Sequence, residues 1–282
     1  MNYRHAYHAG NFADVLKHAA FVAVLLHLRK KEAAFAVVDT HGGRGLYDLA
    51  GPEAAKTGEA DEGIGRLLRL PELPGVLERY CAVVREFGNG HYPGSPLIAA
   101  KLLRGKDRLV AVEKHPEDYA ALASHLASFP RARAVEGDGY AELKRLMPPP
   151  ERRGLVLIDP PYEDAGEFQS ATRALIAGYR RFATGIYLFW YPAKEKAALH
   201  AAIGEILNAG ISSLLQLELD IGAGNRPVPE GRGPRMTAAG LLVLNAPFGF
   251  AGEMRTVLPF LEGILAQGAE AHGTVERLAG EE

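Results

Sequence analysis

The residues Asp159-Pro160-Pro161-Tyr162 stand directly behind an apolar run, Leu155-Val156-Leu157-Ile158. Two consecutive prolines donate no backbone hydrogen bonds and cannot continue a central strand, so they fix a stiff loop at the strand's carboxyl end. In such a loop the Asp159 carboxylate and the Pro160 carbonyl can both point as acceptors at one amine, and Tyr162 offers a ring on which a planar base can stack. Two acceptors beside a stacking platform suit an exocyclic amino group on a nucleobase. Other apolar runs also end in acids. Asp39 opens Asp39-Thr40-His41-Gly42-Gly43-Arg44-Gly45, Glu113 ends Ala111-Val112-Glu113, and Asp138 lies in Glu136-Gly137-Asp138-Gly139. If these runs are neighbouring parallel strands, the carboxylates share the rim where open α/β sheets bind ligands. They suit an adenosine ligand without phosphates, whose hydroxyls and amine meet carboxylates. Singly, the glycine turn could be purely structural, and Glu113 or Asp138 a solvated strand-end acid. The turn also lacks the third glycine of a dinucleotide fingerprint, since Asp48 occupies that place, which counts against a nicotinamide-dependent dehydrogenase.

Such a rim needs alternating strands and helices to position it. The pattern predicts strands over 34–39, 109–113, 132–136, 155–158, 186–190, 214–219 and 241–244, and helices over 116–129, 140–147, 167–182 and 194–209. That alternation predicts an α/β fold with a seven-stranded, mostly parallel sheet. Asn11 is placed to cap a first helix running to about Lys31, with Val15, Leu16, Ala19, Val22, Ala23 and Leu26 on one face. Ser95-Pro96, after the turn Tyr92-Pro93-Gly94, reads as a helix start with Ser95 at the cap. In a compact βαβ nucleotide-binding unit the acid ending the second strand lies ~20 residues past the glycine turn. Here Glu113 follows Gly45 by 68 positions. The surplus carries helical text at 62–70 and 75–87. An inserted helical subdomain is therefore expected over 48–93, with 1–47 and 94–282 forming the main domain.

Composition bounds the rest. The chain has 282 residues, 48% hydrophobic and 23% charged, enough for a sizeable core. Lysine and arginine number 32 against 34 acids, a net charge of −2, so a nucleic-acid partner would have to be held by local patches. Residues 1–31 sum to +4, and 222–236, with Arg226, Arg232 and Arg235 against Glu230, to +2. These two stretches and the insertion are the candidate RNA patches. One cysteine, Cys81, excludes a disulfide framework and a cysteine-rich zinc site. No metal-ligand spacing accompanies the ten histidines. The longest early apolar run, Ala19 to Leu26, is too short to span a bilayer. A cytoplasmic, monomeric protein with no membrane partner and no metal is expected.

The strand-end motif resembles motif IV of amino-methyltransferases that use S-adenosylmethionine. The likeness extends along nearly the whole chain. Tyr3-Arg4-His5, His8-Ala9-Gly10-Asn11, Asp14-Val15-Leu16-Lys17-His18, Asp39-Thr40-His41, Tyr92-Pro93-Gly94-Ser95-Pro96, Arg181-Phe182-Ala183-Thr184-Gly185-Ile186-Tyr187 and Arg235-Met236-Thr237-Ala238 all resemble the RlmJ family. Members of that family methylate adenine N6 of one adenosine in 23S ribosomal RNA. The resemblance implies a Rossmann-like S-adenosylmethionine-dependent methyltransferase fold. It further implies that His18, His41, Ser95, Glu113, Asp138 and Gly139 contact the cofactor, that Asp159 is catalytic with Pro160 and Tyr162 beside it, and that Tyr3 touches the RNA. Arg4 would join Tyr3 if the basic N-terminal segment closes over the site. Arg44 departs from the small residues usual in the family's turn and must point away from the ligand. Methylation of guanine N2 or of adenine in DNA, and an inactive RNA-binding relative, remain open alternatives.

Overall fold

The computed structural model describes residues 5–164, 166–223 and 236–281. After a short turn at His5–Tyr7, helix α1 (Phe12–Arg29) leads into β1 (Ala36–Asp39) and β2 (Leu46–Asp48). Helices α2 (Pro52–Thr57), α3 (Glu59–Glu62), α4 (Ile64–Leu68) and α5 (Val76–Arg85) follow, and β3 (His91–Pro93) returns to pair with β2. The remaining elements are α6 (Ser95–Leu102), β4 (Arg108–Glu113), α7 (Pro116–Leu126), β5 (Ala132–Glu136), α8 (Gly139–Leu146), β6 (Gly154–Ile158), α9 (Glu167–Arg181), β7 (Ile186–Pro192), α10 (Lys196–Asn208), β8 (Leu214–Asp220), β9 (Ala238–Leu244), α11 (Phe250–Leu265) and β10 (His272–Ala279).

The main sheet has eight strands in the order β10-β8-β9-β7-β6-β1-β4-β5. β5, β4, β1, β6 and β7 run parallel. β9 pairs antiparallel with β7 and β8, and β10 antiparallel with β8. This is the Rossmann-like methyltransferase arrangement, with one strand more than the seven expected. The added strand, β10, has little apolar signal, because Val275 is the one large aliphatic in its half-buried row beside Gly273 and Arg277. An edge strand so poor in apolar residues has no legible alternation.

β1 and β6 are buried at every position, as central parallel strands must be with helices on both faces. α1 begins at Asn11, whose side chain accepts from the Asp14 backbone N–H, as the sequence predicts. The helix is buried on nearly all sides, which explains why it lacks a clean apolar stripe. The helices between β2 and β3 do not form a separate core: Ile64, Leu67, Leu77 and Tyr80 join the cluster that contains α1 and β1. No helix among the described residues is long and apolar enough to cross a membrane.

Candidate active site

The carboxyl ends of β1, β4, β5 and β6 meet the N-terminal turn of α1 around a cleft of about 1210 Å³. Asp39, at the end of β1, is fully buried and accepts from Ser95 Oγ at 2.6 Å and from the His41 backbone N–H at 3.2 Å. Ser95 is the first residue of α6, and Gly94 takes the capping position. Its hydroxyl is committed to Asp39 rather than to its own helix, which corrects the capping expectation. Burial pushes the Asp39 carboxyl up to about 6, against the Ser95 hydrogen bond that favours the ionised form. A carboxyl whose pKa is higher folded than unfolded contributes stability that is full below about 3.8 and is lost as pH rises through about 6. Asp39→Asn should therefore remove a downward slope of stability between those pH values. Urea denaturation of both proteins at pH 4.5 and 7.5 checks this; parallel changes in the two would overturn it.

The glycine turn is held by its neighbours. Gly43 adopts a left-handed φ of +57° and donates its N–H to Glu113 Oε2 at 2.8 Å. Glu113 Oε1 accepts from the His115 N–H at 2.8 Å. Burial raises the Glu113 pKa while these backbone bonds oppose the shift. Arg44 is exposed at the mouth, 3.6 Å from Asp118. Asp138 caps α8 through the N–H groups of Tyr140 (3.0 Å) and Ala141 (3.2 Å) and meets Lys114 Nζ at 3.0 Å. At Gly139 a Cβ would lie 2.1 Å from the Thr40 carbonyl oxygen, so only glycine lets α8 start this close to the end of β1.

Two histidines sit in this wall. His41 packs edge-on against Tyr140 at 5.1 Å, and burial pushes its pKa down to about 4. His18 Nδ1 shares a 2.6 Å hydrogen bond with the Tyr92 hydroxyl, which in turn meets the Tyr80 hydroxyl at 2.7 Å. Burial lowers the His18 pKa to about 3, and its Nε2 has no partner among the described residues. Both rings are neutral at physiological pH.

The loop after β6 carries Asp159, Pro160 and Tyr162 into the same cleft. Tyr162 has a φ of +53°, unusual for a bulky residue and a mark of a loop held by its surroundings. Its hydroxyl donates to the Trp190 carbonyl at 2.8 Å, and its ring lies 5.3 Å from Phe168 and 5.7 Å from Trp190. Asp159 Oδ2 accepts from Lys17 Nζ at 2.5 Å. Lys17 also lies 2.8 Å from Asp14 Oδ1, while Asp14 Oδ2 accepts from the Gly10 N–H and sits 3.0 Å from His5 Nε2. Burial alone would lower the Lys17 pKa, but the two carboxylates outweigh it and hold the ammonium charged. Asp14 is likewise kept ionised by His5 and Lys17 against the cost of its burial.

The structure thus brings together His18, His41, Ser95, Glu113, Asp138, Gly139, Asp159, Pro160 and Tyr162 around one cleft. Tyr3 and Arg4, and Arg226, Arg232 and Arg235, lie outside the described residues. The sequence reading missed the role of Lys17 and Asp14. Their signal was present: polar side chains at i and i+3 inside an otherwise apolar helix must be paired with something. Among the described residues, eleven carboxylates line the cleft against four lysines and arginines. Among the described residues no group of three His, Cys, Asp or Glu could hold a metal ion.

Comparison with known proteins agrees with this arrangement. The family model for ribosomal RNA large subunit methyltransferase D, RlmJ, matches residues 32–278. The chain is 42% identical over 279 residues to ribosomal RNA large subunit methyltransferase J of Escherichia coli, covering 98% of each. It is 40% identical over 281 residues to the protein of the same name from Haemophilus influenzae, again covering 98% of each. A crystal structure of a Legionella pneumophila protein superimposes with a TM-score of 0.85 at 33% identity, covering 98% of this chain and 99% of that one. The chain belongs to the RlmJ family and is a ribosomal RNA methyltransferase.

Proposed function

We propose that this enzyme transfers a methyl group from S-adenosylmethionine to the exocyclic N6 amine of one adenosine in 23S ribosomal RNA. The observation that carries the reading is Asp159, placed at the end of β6 with one oxygen fixed by Lys17, beside a rim of buried carboxylates. The rim fits the cofactor. Each Glu113 oxygen accepts one backbone N–H and retains a lone pair for a ribose hydroxyl. Asp138 and Gly139 stand at the start of α8, and His18, His41 and Ser95 complete the walls. The orphaned Nε2 of His18 is a buried polar atom that a ligand would satisfy. When bound, the cofactor supplies an electrophilic methyl group on a sulfonium sulfur.

The chain's own residues do the positioning. An adenine amine is a weak nucleophile because its lone pair is delocalised into the ring. Hydrogen bonds from its two N–H groups to Asp159 and to the Pro160 carbonyl favour a pyramidal nitrogen and free that pair. Lys17 holds the Asp159 carboxylate in one orientation, leaving its second oxygen for the amine. Alignment of this kind is worth up to roughly 7–11 kcal/mol. Tyr162 provides a face for the base, which must be unpaired or flipped to enter. The amine's surplus proton is nearest Asp159. His5 ties the start of the described chain to Asp14, next to Lys17, and Tyr3 and Arg4, which precede it in sequence, are the proposed RNA contacts. In this reading 48–93 is an insertion that packs onto the main core and does not carry one of its own.

Glu113→Ala should weaken binding of S-adenosylhomocysteine by about 1–3 kcal/mol, the scale of a lost hydrogen bond to a charged group. Titration calorimetry reads this directly, and unchanged affinity would return Glu113 to a role in bracing the glycine turn. The activity itself is tested by nucleoside mass spectrometry of ribosomal RNA from a strain lacking the gene. One N6-methyladenosine should be missing and should return with the intact gene. Loss of a methylguanosine instead would overturn the assignment to adenine.

A further inference from the structure

We propose that the amino-terminal rim of the sheet, opposite the catalytic cleft, is a second RNA-binding surface that grips phosphates of the folded substrate. The proposal rests on the reading of this enzyme as a ribosomal RNA methyltransferase. It begins from a balance of charge: among the described residues the cleft carries eleven carboxylates against four lysines and arginines, a poor surface for a phosphate backbone, so cations on another face would help to hold the RNA.

The parallel strands place their amino ends, and the turns feeding them, on the far side of the molecule. Those turns are basic. Lys30, Lys31, Arg131, Lys144, Arg152 and Arg180 are all exposed there, and none has an ion-pair partner among the described residues. The acids of the same turns are already engaged: Glu32 with Lys106, Asp107 with Arg104, and Glu151 with Arg108. The positive charge of the first 31 residues is therefore not one patch. Lys17 is buried in the active site, while Arg29, Lys30 and Lys31 emerge at the other end of the same helix, about 18–21 Å further along its axis.

Helix polarity explains part of this, because α1, α8 and α9 end at this rim and cations are favoured near helix C-termini. It does not explain Arg131 and Arg152, which precede β5 and β6 and end no helix. The surface is also rigid. Arg104 donates to the Arg29 and Lys31 carbonyls and Arg153 to those of Leu28 and Ala33, fixing the Lys30-Lys31 turn. Phe248, 92% exposed, stands in the turn after β9. Asn245 pins that turn beside the α9–β7 connection by donating to the Ala183 and Gly185 carbonyls at 2.8 and 2.7 Å. An exposed ring on the same rim as these cations suits stacking of an unpaired base and favours RNA over an acidic protein or a second copy.

The test compares two substrates, full-length 23S ribosomal RNA from a strain lacking the gene and the shortest hairpin the wild-type enzyme methylates. The variants are K31Q/R131Q/R152Q/R180Q and, separately, Phe248→Ser. The rim lies beyond a Debye length of about 8–10 Å from the cleft, so a short substrate should not sense it. For the quadruple variant, KM for full-length RNA should rise at least about tenfold, and its log–log salt dependence should flatten by about two to four. Its kcat, and all kinetics on the hairpin, should stay at wild-type values. Phe248→Ser should raise KM for the long RNA with the salt slope unchanged. Unchanged KM on full-length RNA, equal losses on both substrates, or a KM change that tracks a shift in sedimentation and so marks a second copy as the partner, would each overturn the proposal. A wild-type enzyme that methylates neither the full-length RNA nor any hairpin cut from it would instead bring down the underlying functional reading.

Discussion

Asp159→Ala should lower methyl transfer by at least about 10²–10³-fold, the scale seen when one preorganised partner of a reacting group is removed. Folding should survive, because Lys17 keeps Asp14 as an ion partner 2.8 Å away and is not left as a lone buried charge. Affinity for S-adenosylhomocysteine should hold within a few-fold, since the proposed cofactor contacts lie on Glu113, Asp138 and the glycine turn. Asp159→Asn separates charge from shape. It keeps an acceptor oxygen but presents an amide to Lys17, so it should retain the fold and lose most of the rate. Single-turnover assays at saturating cofactor, with calorimetry as the binding control, read both variants. Near-wild-type turnover in Asp159→Ala would remove Asp159 from the chemistry.

What the sequence disclosed and what it concealed follow from how local each signal is. The parallel strands β1, β4, β6 and β7 were legible because each is a short apolar run ending at a proline or acid, and β5, Ala132-Arg133-Ala134-Val135-Glu136, because an acid and a glycine close it. The loop at Asp159 was legible because two prolines leave the backbone few options. The 3-residue strands β2 and β3 were not, since three residues cannot display a period. Ser95 was read as a cap from its place before Pro96, yet in the fold it meets Asp39, 56 positions away. Lys17 was the deepest omission. Its partner Asp159 is 142 positions away, and nothing in the local text of α1 names that partner. What α1 did show was an aspartate, a lysine and a histidine at 14, 17 and 18 within an apolar run, a pattern that signals burial with pairing. Strand-end carboxylates show the converse. Asp39, Glu113 and Asp138 were placed correctly on one rim, but each first serves the protein, bracing Ser95, the Gly43 turn and the start of α8. The proposed ligand contacts would use the lone pairs that this bracing leaves over.

Lys17→Met should be more damaging to the fold than any change at Asp159. Methionine fills nearly the same volume, so the loss is of charge and not of packing. The variant leaves the Asp14 carboxylate, 2% exposed, and Asp159 without their shared cation. Breaking a buried pair by removing one partner costs about 3–5 kcal/mol, and the loss here should fall toward the lower figure, because Asp14 keeps His5 and the Gly10 N–H. The cost should depend on pH with a definite sign. In the intact protein Lys17 is held charged well above its ordinary range, so its contribution is constant through neutral pH. Asp14, depressed below its ordinary value, contributes stability that is present above about 3.8 and lost only as pH falls through its lower folded value. Without Lys17 the orphaned carboxylates can escape the penalty by taking up protons. The gap between variant and wild type should therefore be widest near pH 8 and narrow toward pH 4. Adding Asp159→Asn to Lys17→Met should restore part of the stability, a non-additivity expected of groups in one network. It should restore none of the turnover, because the carboxylate charge that faces the amine is then gone as well. Urea denaturation of the four proteins of this cycle at three pH values measures the coupling. A gap that stays constant from pH 4 to 8, with additive free energies, would show that Lys17 supports the helix by packing alone and does not hold Asp159 in place.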